Sequence, residues 1–209
     1  MHSSVLIIAC GALAREITDL KRSCGWSHLR LKCIDARLHN RPAEIPERVR
    51  EAIRENRDAF DHIFVAYADC GTGGALDRVL EEEQVERLPG AHCYQFLAGG
   101  SRFAELSAAE PGTFYLTDFL VRHFDRLVIG PLGLEAHPEL RDEYFGNYAR
   151  LVYLSQTPDA DLLDAAGAAA KRLGLEFGHV HCGYGELESE LVDRVSRWAD
   201  GQEDIRLLA

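Results

Sequence analysis

The sequence lacks several features that would assign it to a common class of protein. It has no run of about 18 apolar residues, the length that a membrane-spanning helix needs, so we expect no membrane anchor. Lys and Arg number 23 against 34 Asp and Glu, which leaves a net charge of −11. This acidic balance argues against nucleic acid as a partner, because phosphate backbones are bound by clustered basic residues. The six cysteines include no Cys-x-x-Cys pair, so a dense disulfide scaffold is not expected.

The apolar stretch VLIIACGALAREI, residues 5–17, partly resembles the core of an export signal. Such a signal begins with a basic segment, and here no Lys or Arg precedes Arg15. The same lack argues against Cys10 as a lipidated residue. We therefore interpret residues 5–10 as a buried strand and expect a cytoplasmic protein with reduced thiols.

Short apolar runs alternate with amphipathic segments along most of the chain. Strands are predicted at residues 5–10, 29–35, 62–70, 92–99, 150–156 and 175–182, with a closing strand in DIRLLA at 204–209. The order is typical of βαβ units, so the predicted fold class is α/β: a Rossmann-like, mostly parallel sheet with helices on both faces. We expect one domain over residues 1–209, with lobes 1–110 and 111–209 as an alternative division.

Two local patterns add detail to this prediction. The aromatic residues of the segment 113–134 follow close to helical spacing, which predicts a helical segment interrupted by Gly130, Pro131 and Gly133. Asp159 follows Thr157 and Pro158 directly before an alanine-rich run, and this arrangement predicts that it caps the N-terminus of a helix.

Three of the predicted strands carry cysteine near their carboxyl end or tip, namely Cys10, Cys70 and Cys93. In an open parallel sheet, ligands bind beside the carboxyl ends of the strands, so we expect these sulfurs to share one edge. Gly11 and Gly71 follow the first two cysteines and precede predicted helices. Backbone N–H groups at these positions would favour thiolates, so both glycines are predicted to help to bind a cofactor.

Three sulfurs at one edge suit a zinc ion, or an iron–sulfur cluster with one iron left open. His39, in the loop after the second predicted strand, is the first choice for a fourth ligand, and His179 and His181 in GHVHC are further candidates. His92 alternates with Cys93 along a predicted strand and should face the other way, as a structural residue.

Other roles for these residues remain open. Glu16, in the first predicted helix, is a candidate to bind a cofactor by a hydrogen bond or to act as a base, although a solvated helix face explains it equally well. Cysteine is often buried for packing alone, and we assign Cys24, Cys33 and Cys182 to that role. DCGTGGALD resembles a phosphate loop, but it lacks the lysine and the complete glycine pattern.

The segments CGALAREI, LHNRPAEIPERV, YADCGTGGALD, HCYQFLAG and TFYLTDFL occur in this order. Together they resemble the family known as domain of unknown function 1638, from about Val5 to Leu191. The family's recurring cysteine and histidine positions fall here on Cys10, His39, Cys70 and Cys93, so the resemblance implies a metal site on these residues. Members often carry Asp before the third cysteine, where this chain has His92. This difference leaves open whether His92 binds the metal directly or supports another ligand.

The same resemblance implies a cellular context. Members are often encoded near corrinoid-dependent methyltransferases, which implies a role in one-carbon or methylamine-type metabolism. We therefore hypothesise a cytoplasmic metal-binding protein that holds zinc, in preference to an iron–sulfur cluster, on Cys10, Cys70, Cys93 and His39. One alternative is an accessory module that docks on a corrinoid protein or its methyltransferase. A second is a metal-free enzyme with Cys70 as nucleophile and His39 as base.

Overall fold

A computed structural model describes residues 3–199 of the chain. Within this range it contains seven strands, which are β1 (Val5–Cys10), β2 (Leu29–Ile34), β3 (His62–Ala66), β4 (Glu86–Arg87), β5 (Thr113–Thr117), β6 (Arg150–Ser155) and β7 (Glu176–His181). The same range holds nine α-helices, which are α1 (Ala14–Ser23), α2 (Ile45–Asn56), α3 (Ala75–Glu83), α4 (Cys93–Ala98), α5 (Gly100–Ala109), α6 (Asp118–Arg122), α7 (Arg141–Phe145), α8 (Ala160–Leu173) and α9 (Gly185–Ala199). None of the helices within residues 3–199 is long and apolar enough to cross a lipid bilayer.

The strands pair in two sheets, and every pair is parallel. The first sheet has the order β2-β1-β3-β4 and the second has the order β5-β6-β7. The predicted α/β class with parallel strands and intervening helices is therefore confirmed. The prediction described one sheet, and the structure divides the strands between two.

The chain forms two compact units, each built around one of these sheets. The first unit contains the described residues up to Phe96 and those from Glu186 onward. The second unit is Leu97–Gly185. The first unit is thus discontinuous in sequence, because α9 joins the N-terminal sheet.

Aromatic and cationic contacts explain why α9 belongs to the first unit. The guanidinium of Arg194 lies 4.4 Å from the centre of the Phe64 ring and forms ion pairs with Glu86 and Glu190. Trp198 stacks on the ring of His62, with 5.1 Å between ring centres. Arg194 is 6% exposed, so burial removes most of the hydration of its guanidinium. The cation–π contact and the ion pairs compensate for that loss.

The central strand of the first sheet is β1, whose six residues are all buried. It lies between β2 and β3, with Val5 aligned with Leu29 and with His62. A continuous apolar run of this kind is typical of a strand that is covered on both faces. Gly11 follows directly, and a Cβ atom there would lie 3.2 Å from the carbonyl oxygen of Ile34, so glycine permits the close approach to β2.

The core of the second unit packs α6 and α8 against the sheet, with Ala166 and Ala170 of α8 buried in the same cluster as Leu151 and Tyr153. The predicted cap of α8 is confirmed, because a carboxylate oxygen of Asp159 accepts a hydrogen bond of 3.2 Å from the Leu162 N–H. Small alanine side chains on this helix let its axis lie close to the sheet.

The prediction of a strand at residues 92–99 is wrong, because Cys93–Ala98 forms α4. The preceding segment provides the extended pairing: the Gly90 carbonyl accepts from the Asp69 N–H at 3.0 Å, and the Ala91 carbonyl accepts from the Cys70 N–H at 2.9 Å. A short apolar run does not distinguish a strand from a buried helical turn by periodicity. The alternation that placed His92 and Cys93 on opposite strand faces therefore does not apply.

The helical segment predicted from residue 113 also requires correction. Residues Thr113–Thr117 form β5, and the helix α6 begins only after Thr117, whose hydroxyl oxygen accepts from the Leu120 N–H at 3.4 Å. The β-branched and aromatic residues of TFYLT favour a strand more strongly than the aromatic spacing favours a helix. The closing strand predicted at 204–209 lies outside the described residues.

A cluster of ion pairs joins α2 to α3 in the first unit. The buried carboxylate of Glu83 accepts from Arg54 Nε at 2.7 Å and from Arg57 Nη2 at 2.9 Å, and Arg50 Nη1 lies 3.4 Å away. Burial alone would raise the pKa of Glu83, but the hydrogen bonds and charges of Arg57 and Arg54 lower it. The carboxylate therefore stays ionised inside a nearly closed shell of arginines.

Replacing Glu83 with Gln should lower the free energy of unfolding by about 1 to 3 kcal/mol, because a buried acceptor of three guanidinium groups loses its charge. Urea unfolding followed by circular dichroism measures the change. Glu82→Gln is the matched control, since that side chain is 61% exposed and, within residues 3–199, pairs with Arg50 alone. The control should cost less than ~0.5 kcal/mol. Equal losses in the two variants would contradict the assignment.

Candidate functional site

The carboxyl edge of the first sheet brings Cys10 next to the chain that leaves β3. Ala9 is aligned with Ala66, so the following residues, Cys10 and Tyr67, lie side by side. The hydroxyl of Tyr67 donates a hydrogen bond to the sulfur of Cys10. Both residues are buried, at 5% and 1% exposure. Cys10 thus lies at the end of the central strand, as the sequence predicts.

Cys70 lies in a tight loop, residues 69–74, that connects β3 with α3. Its backbone has a φ of 51°, which is uncommon outside glycine and costs about 1 to 2 kcal/mol. The carboxylate of Asp69 holds the loop by accepting hydrogen bonds from the Thr72 hydroxyl at 2.6 Å, the Gly74 N–H at 2.9 Å and the Gly73 N–H at 3.2 Å. The loop therefore fixes Cys70 in a position that a relaxed chain would not adopt.

Cys93 begins α4 and meets Cys70 across the paired segments. The backbone N–H of Cys93 donates to the sulfur of Cys70, and the N–H groups of Tyr94 and Cys93 itself lie against the Cys93 sulfur. Cys93 therefore reaches the expected edge from the start of a helix and not from the end of a strand.

The three thiols influence one another electrostatically. Burial raises the pKa of Cys93 well above its ordinary value, and the charges that Cys70 and Cys10 would carry raise it further. Burial raises the pKa of Cys70 to about 12, with Cys10 the next contributor. Burial also raises the pKa of Cys10. Cys10 therefore lies near enough to Cys70 and Cys93 to affect their ionisation, and Cys70 lies near enough to affect that of Cys93.

These shifts correct the expectation that backbone N–H groups favour thiolates here. The Ala12 N–H does lower the pKa of Cys10, and the Ala68 and Cys93 N–H groups lower that of Cys70, but burial outweighs them. The charged side chains that act on these sulfurs are carboxylates, Asp35 on Cys10 and Asp69 on Cys70. A thiolate formed at this edge would therefore face negative charge.

The predicted fourth ligand, His39, lies in a short helical turn, Ala36–Asn40, and its side chain is accessible to solvent. Surrounding protein atoms lower the pKa of His39 by desolvation, and His92 lowers it further by like-charge repulsion. The structure therefore places His39 near His92, which is itself exposed just before α4. Neutral imidazole, the form that binds metals, is favoured at His39.

Three other residues of the first unit lie around the same edge. Cys33, assigned to packing from the sequence, is an exposed residue near the end of β2. Its sulfur is nevertheless partly shielded from water, which raises the pKa of the thiol, and Cys10 raises it further. Glu16 is 4% exposed in the first turn of α1. Gly71 has a φ of 84° directly after Cys70, which explains why glycine occupies that position.

As placed, the thiols do not form a complete ligand set. Among residues 3–199, no group of three or more His, Cys, Asp or Glu side chains is arranged to hold a metal ion. The sulfurs are close enough to shift one another's ionisation, and thiol side chains change position by rotation about χ1. Because their pKa values are raised, the three thiols at this edge are neutral at neutral pH.

A buried polar cluster that was not predicted from the sequence lies at the carboxyl edge of the second sheet. The carboxylate of Asp118, 2% exposed, accepts from the Tyr153 hydroxyl at 2.7 Å, the Gln156 N–H at 2.9 Å and the Thr157 hydroxyl at 2.6 Å. Gln156 Oε1 accepts from the Asp118 N–H at 2.8 Å. Asp118 directly follows β5, and Gln156 and Thr157 directly follow β6, so polar residues after strand ends were the signal that could have identified the cluster.

The histidines of GHVHC lie at the same edge of the second sheet. The hydroxyl oxygen of Ser155 is 2.9 Å from His179 Nε2 and 2.9 Å from His181 Nδ1. The sulfur of Cys182 donates to the Ser155 carbonyl at 3.4 Å and receives the Gln156 amide at 3.7 Å. His179, His181 and Cys182 thus form contacts within the second unit.

Ionisation of Asp69 provides a test of the loop that carries Cys70. The hydrogen bonds from Thr72, Gly74 and Gly73 lower the pKa of Asp69 to about 2. Because the folded pKa lies below the ordinary value, the stabilisation is complete above pH ~4 and is lost as the pH falls toward ~2.

Asp69→Asn should lower the free energy of unfolding by about 1 kcal/mol at neutral pH, a modest loss because the side chain is partly exposed. The difference between wild type and variant should shrink between pH 4 and pH 2 in urea titrations. Asp58→Asn, at an exposed residue, should show no such convergence. A difference that stays constant across this range would contradict the role given to the carboxylate.

Comparison with known proteins yields one assignment. A model of the family described as protein of unknown function (DUF1638) matches residues 33–191, which include His39, Cys70 and Cys93 but not Cys10. No curated protein is similar enough to count as a match. Because the match covers most of the sequence, the chain belongs to the DUF1638 family.

Proposed function

We propose that the first unit binds a thiophilic metal ion, zinc in preference to an iron–sulfur cluster, through Cys10, Cys70 and Cys93. One observation supports the proposal: three shielded thiols from separate segments lie near enough for Cys10 and Cys70 to raise the pKa of Cys93, and the carboxylates of Asp35 and Asp69 raise the pKa of Cys10 and Cys70. A divalent cation would offset both the negative charge of three thiolates and that of the carboxylates.

The donor set fits the proposed ion in its chemical type. Thiolate sulfur is the preferred protein ligand of zinc and of iron–sulfur clusters, with zinc–sulfur bonds of ~2.3 Å. The Tyr67 hydroxyl and the N–H groups of Ala12 and Cys93 would remain as donors to the bound sulfurs. Such outer hydrogen bonds orient ligands and tune the affinity of metal sites.

The raised thiol pKa values set the balance between protons and metal. Each sulfur binds its proton tightly in the free protein, because burial disfavours the thiolate. Metal binding would release these protons to solvent, and the cation would then stabilise the charges that burial penalises. The loop 69–74, with Cys70 at positive φ, would contribute by keeping one sulfur at the edge before metal arrives.

Two forms of the site follow from the position of His39. If the neutral imidazole of His39 completes the site, four protein ligands enclose the ion. Such a closed centre would either stabilise the fold or act as a thiolate donor. If His39 stays beside His92, the fourth position is open, and a bound zinc ion would supply Lewis-acid or methyl-acceptor chemistry there. Glu16, Gly11 and Gly71 remain the residues predicted to support a cofactor.

The alternatives receive less support. A metal-free enzyme needs a thiolate with a lowered pKa and a cationic partner, whereas Cys70 has a pKa raised to about 12 and a carboxylate beside it. Docking on a corrinoid protein or methyltransferase rests on the family resemblance alone and stays a prediction.

Metal analysis of anaerobically purified protein, combined with an optical spectrum, tests the proposal. We expect about one zinc per chain without the visible absorption that an iron–sulfur cluster would add. Cys10→Ser, Cys70→Ser and Cys93→Ser should each weaken zinc binding by ~10-fold or more. Cys24→Ser, at an exposed cysteine of the same unit, is the control and should bind as wild type does. Undiminished binding in all three variants would overturn the proposal.

The slope of zinc affinity against pH gives the number of protons that are released when zinc binds. Because all three thiols are protonated near neutral pH, zinc affinity should fall by roughly a thousandfold for each pH unit lowered. The single Cys70→Ser variant should show roughly a hundredfold for each unit, since one proton fewer is released. Competition with a chelator of known affinity between pH 6 and pH 8 measures both slopes. Identical slopes in the two proteins would show that Cys70 is not a ligand.

A further inference from the structure

We propose that the second unit carries a separate binding site for a divalent first-row transition-metal ion, with the imidazoles of His179 and His181 as its protein ligands. The site uses nitrogen donors, so it differs in chemistry from the thiol cluster. It does not depend on metal binding by the first unit, because a different observation supports it.

The position of the two histidines on β7 provides the first part of the evidence. They are two residues apart on a strand, so their side chains project from the same face of the sheet. Both side chains are exposed to solvent. A metal ion could therefore reach both rings without any opening of the core.

The contact with Ser155 supplies the second part of the evidence. His179 Nε2 and His181 Nδ1 each lie 2.9 Å from the same hydroxyl oxygen. The two nitrogens are thus no further apart than two such hydrogen bonds laid end to end. Zinc–nitrogen bonds measure about 2.0 to 2.1 Å, so small rotations of exposed rings would let one ion contact both nitrogens.

Hydrogen-bond chemistry shows what binding would change. The Ser155 hydroxyl has one proton, so it donates to one imidazole nitrogen, and the other is held by donating its own N–H to the oxygen. Coordination needs the lone pair of both nitrogens. That ring would bind the ion in its other tautomer: the N–H proton leaves to solvent and the second ring nitrogen takes up one proton from solvent, so no net proton is released.

The buried polar cluster around Asp118 restrains the ring of His179 through Tyr153. Tyr153 stacks on this ring with 5.4 Å between ring centres and 25° between planes. The hydroxyl of Tyr153 donates to Asp118, which in turn accepts from the Gln156 and Thr157 N–H groups. Such fixed neighbours reduce the rotational freedom that a metal ligand must lose on binding.

Cys182 is excluded from this ligand pair by its contacts. It follows His181 directly, and its sulfur is directed to the Ser155 carbonyl and the Gln156 amide. Water would therefore complete the coordination sphere beside two imidazoles. This donor set favours nickel, copper and zinc over magnesium or calcium, which prefer oxygen.

Nickel ion is the probe for the experiment, with the full chain as the sample. Isothermal titration should show that His179→Asn and His181→Asn each weaken one Ni²⁺ site by ~10-fold or more. His137→Asn is the matched control, because that imidazole is exposed and, within residues 3–199, its ring nitrogens have one polar contact, with Glu139. The Cys70→Ser variant should retain this site, which separates it from the thiol cluster.

A second measurement uses the wild-type protein and does not depend on the folding of the variants. Substoichiometric Ni²⁺, added after one equivalent of zinc has filled the thiol site, should broaden the imidazole resonances of His179 and His181 before those of other histidines, because the nickel ion is paramagnetic. The proposal is overturned if these two resonances persist while others broaden. Unchanged Ni²⁺ affinity in both histidine variants would overturn it as well.

Discussion

The energetic cost of placing three ionisable thiols together away from water is the constraint on which this account depends. Cys10, Cys70 and Cys93 each have a pKa raised by burial, and each lies close enough to another for its charge to matter. In the free protein the cost is avoided because the sulfurs stay protonated. A cation would allow the same sulfurs to ionise, so the edge is suited to exchange protons for metal.

The fold creates this convergence by two means. Parallel pairing of β1 with β3 aligns Ala9 with Ala66, so whatever follows the two strands must meet at one edge. The loop 69–74 then turns the chain sharply, and the ionised Asp69 holds it with three hydrogen bonds. Pairing of Cys70 with Ala91 brings the start of α4 to the same place. Topology therefore brings segments that are far apart in sequence to one edge of the sheet.

The sequence predicted those parts of the fold that depend on strong local patterns. The fully apolar run at 5–10, the strand at 150–155 and the Asp159 cap are where residue type decides the structure. The strand predicted at residues 92–99 is wrong, because a short apolar segment can form a buried helical turn as readily as a strand. The three cysteines were selected because cysteine followed by glycine occurs at the end of β1 and in the loop after β3, and their role as metal ligands stays a prediction.

The remaining features depend on contacts that spacing does not encode. The division into two sheets follows from which strands pair, and α9 joins the first sheet through Arg194 and Trp198. The proximity of His39 to His92 depends on how a short turn lies beside the start of α4. The two histidines on β7 were recognised as ligand candidates, but only the structure shows that Ser155 links them.

X-ray absorption at the zinc edge, on wild-type protein loaded with one equivalent of zinc, identifies the atoms that bind the ion. We expect three sulfur atoms to dominate the coordination sphere, at a distance of ~2.3 Å, with one nitrogen or oxygen atom beside them. A coordination sphere made only of nitrogen and oxygen atoms would contradict this expectation, because the gathered thiols would then have no part in binding the ion.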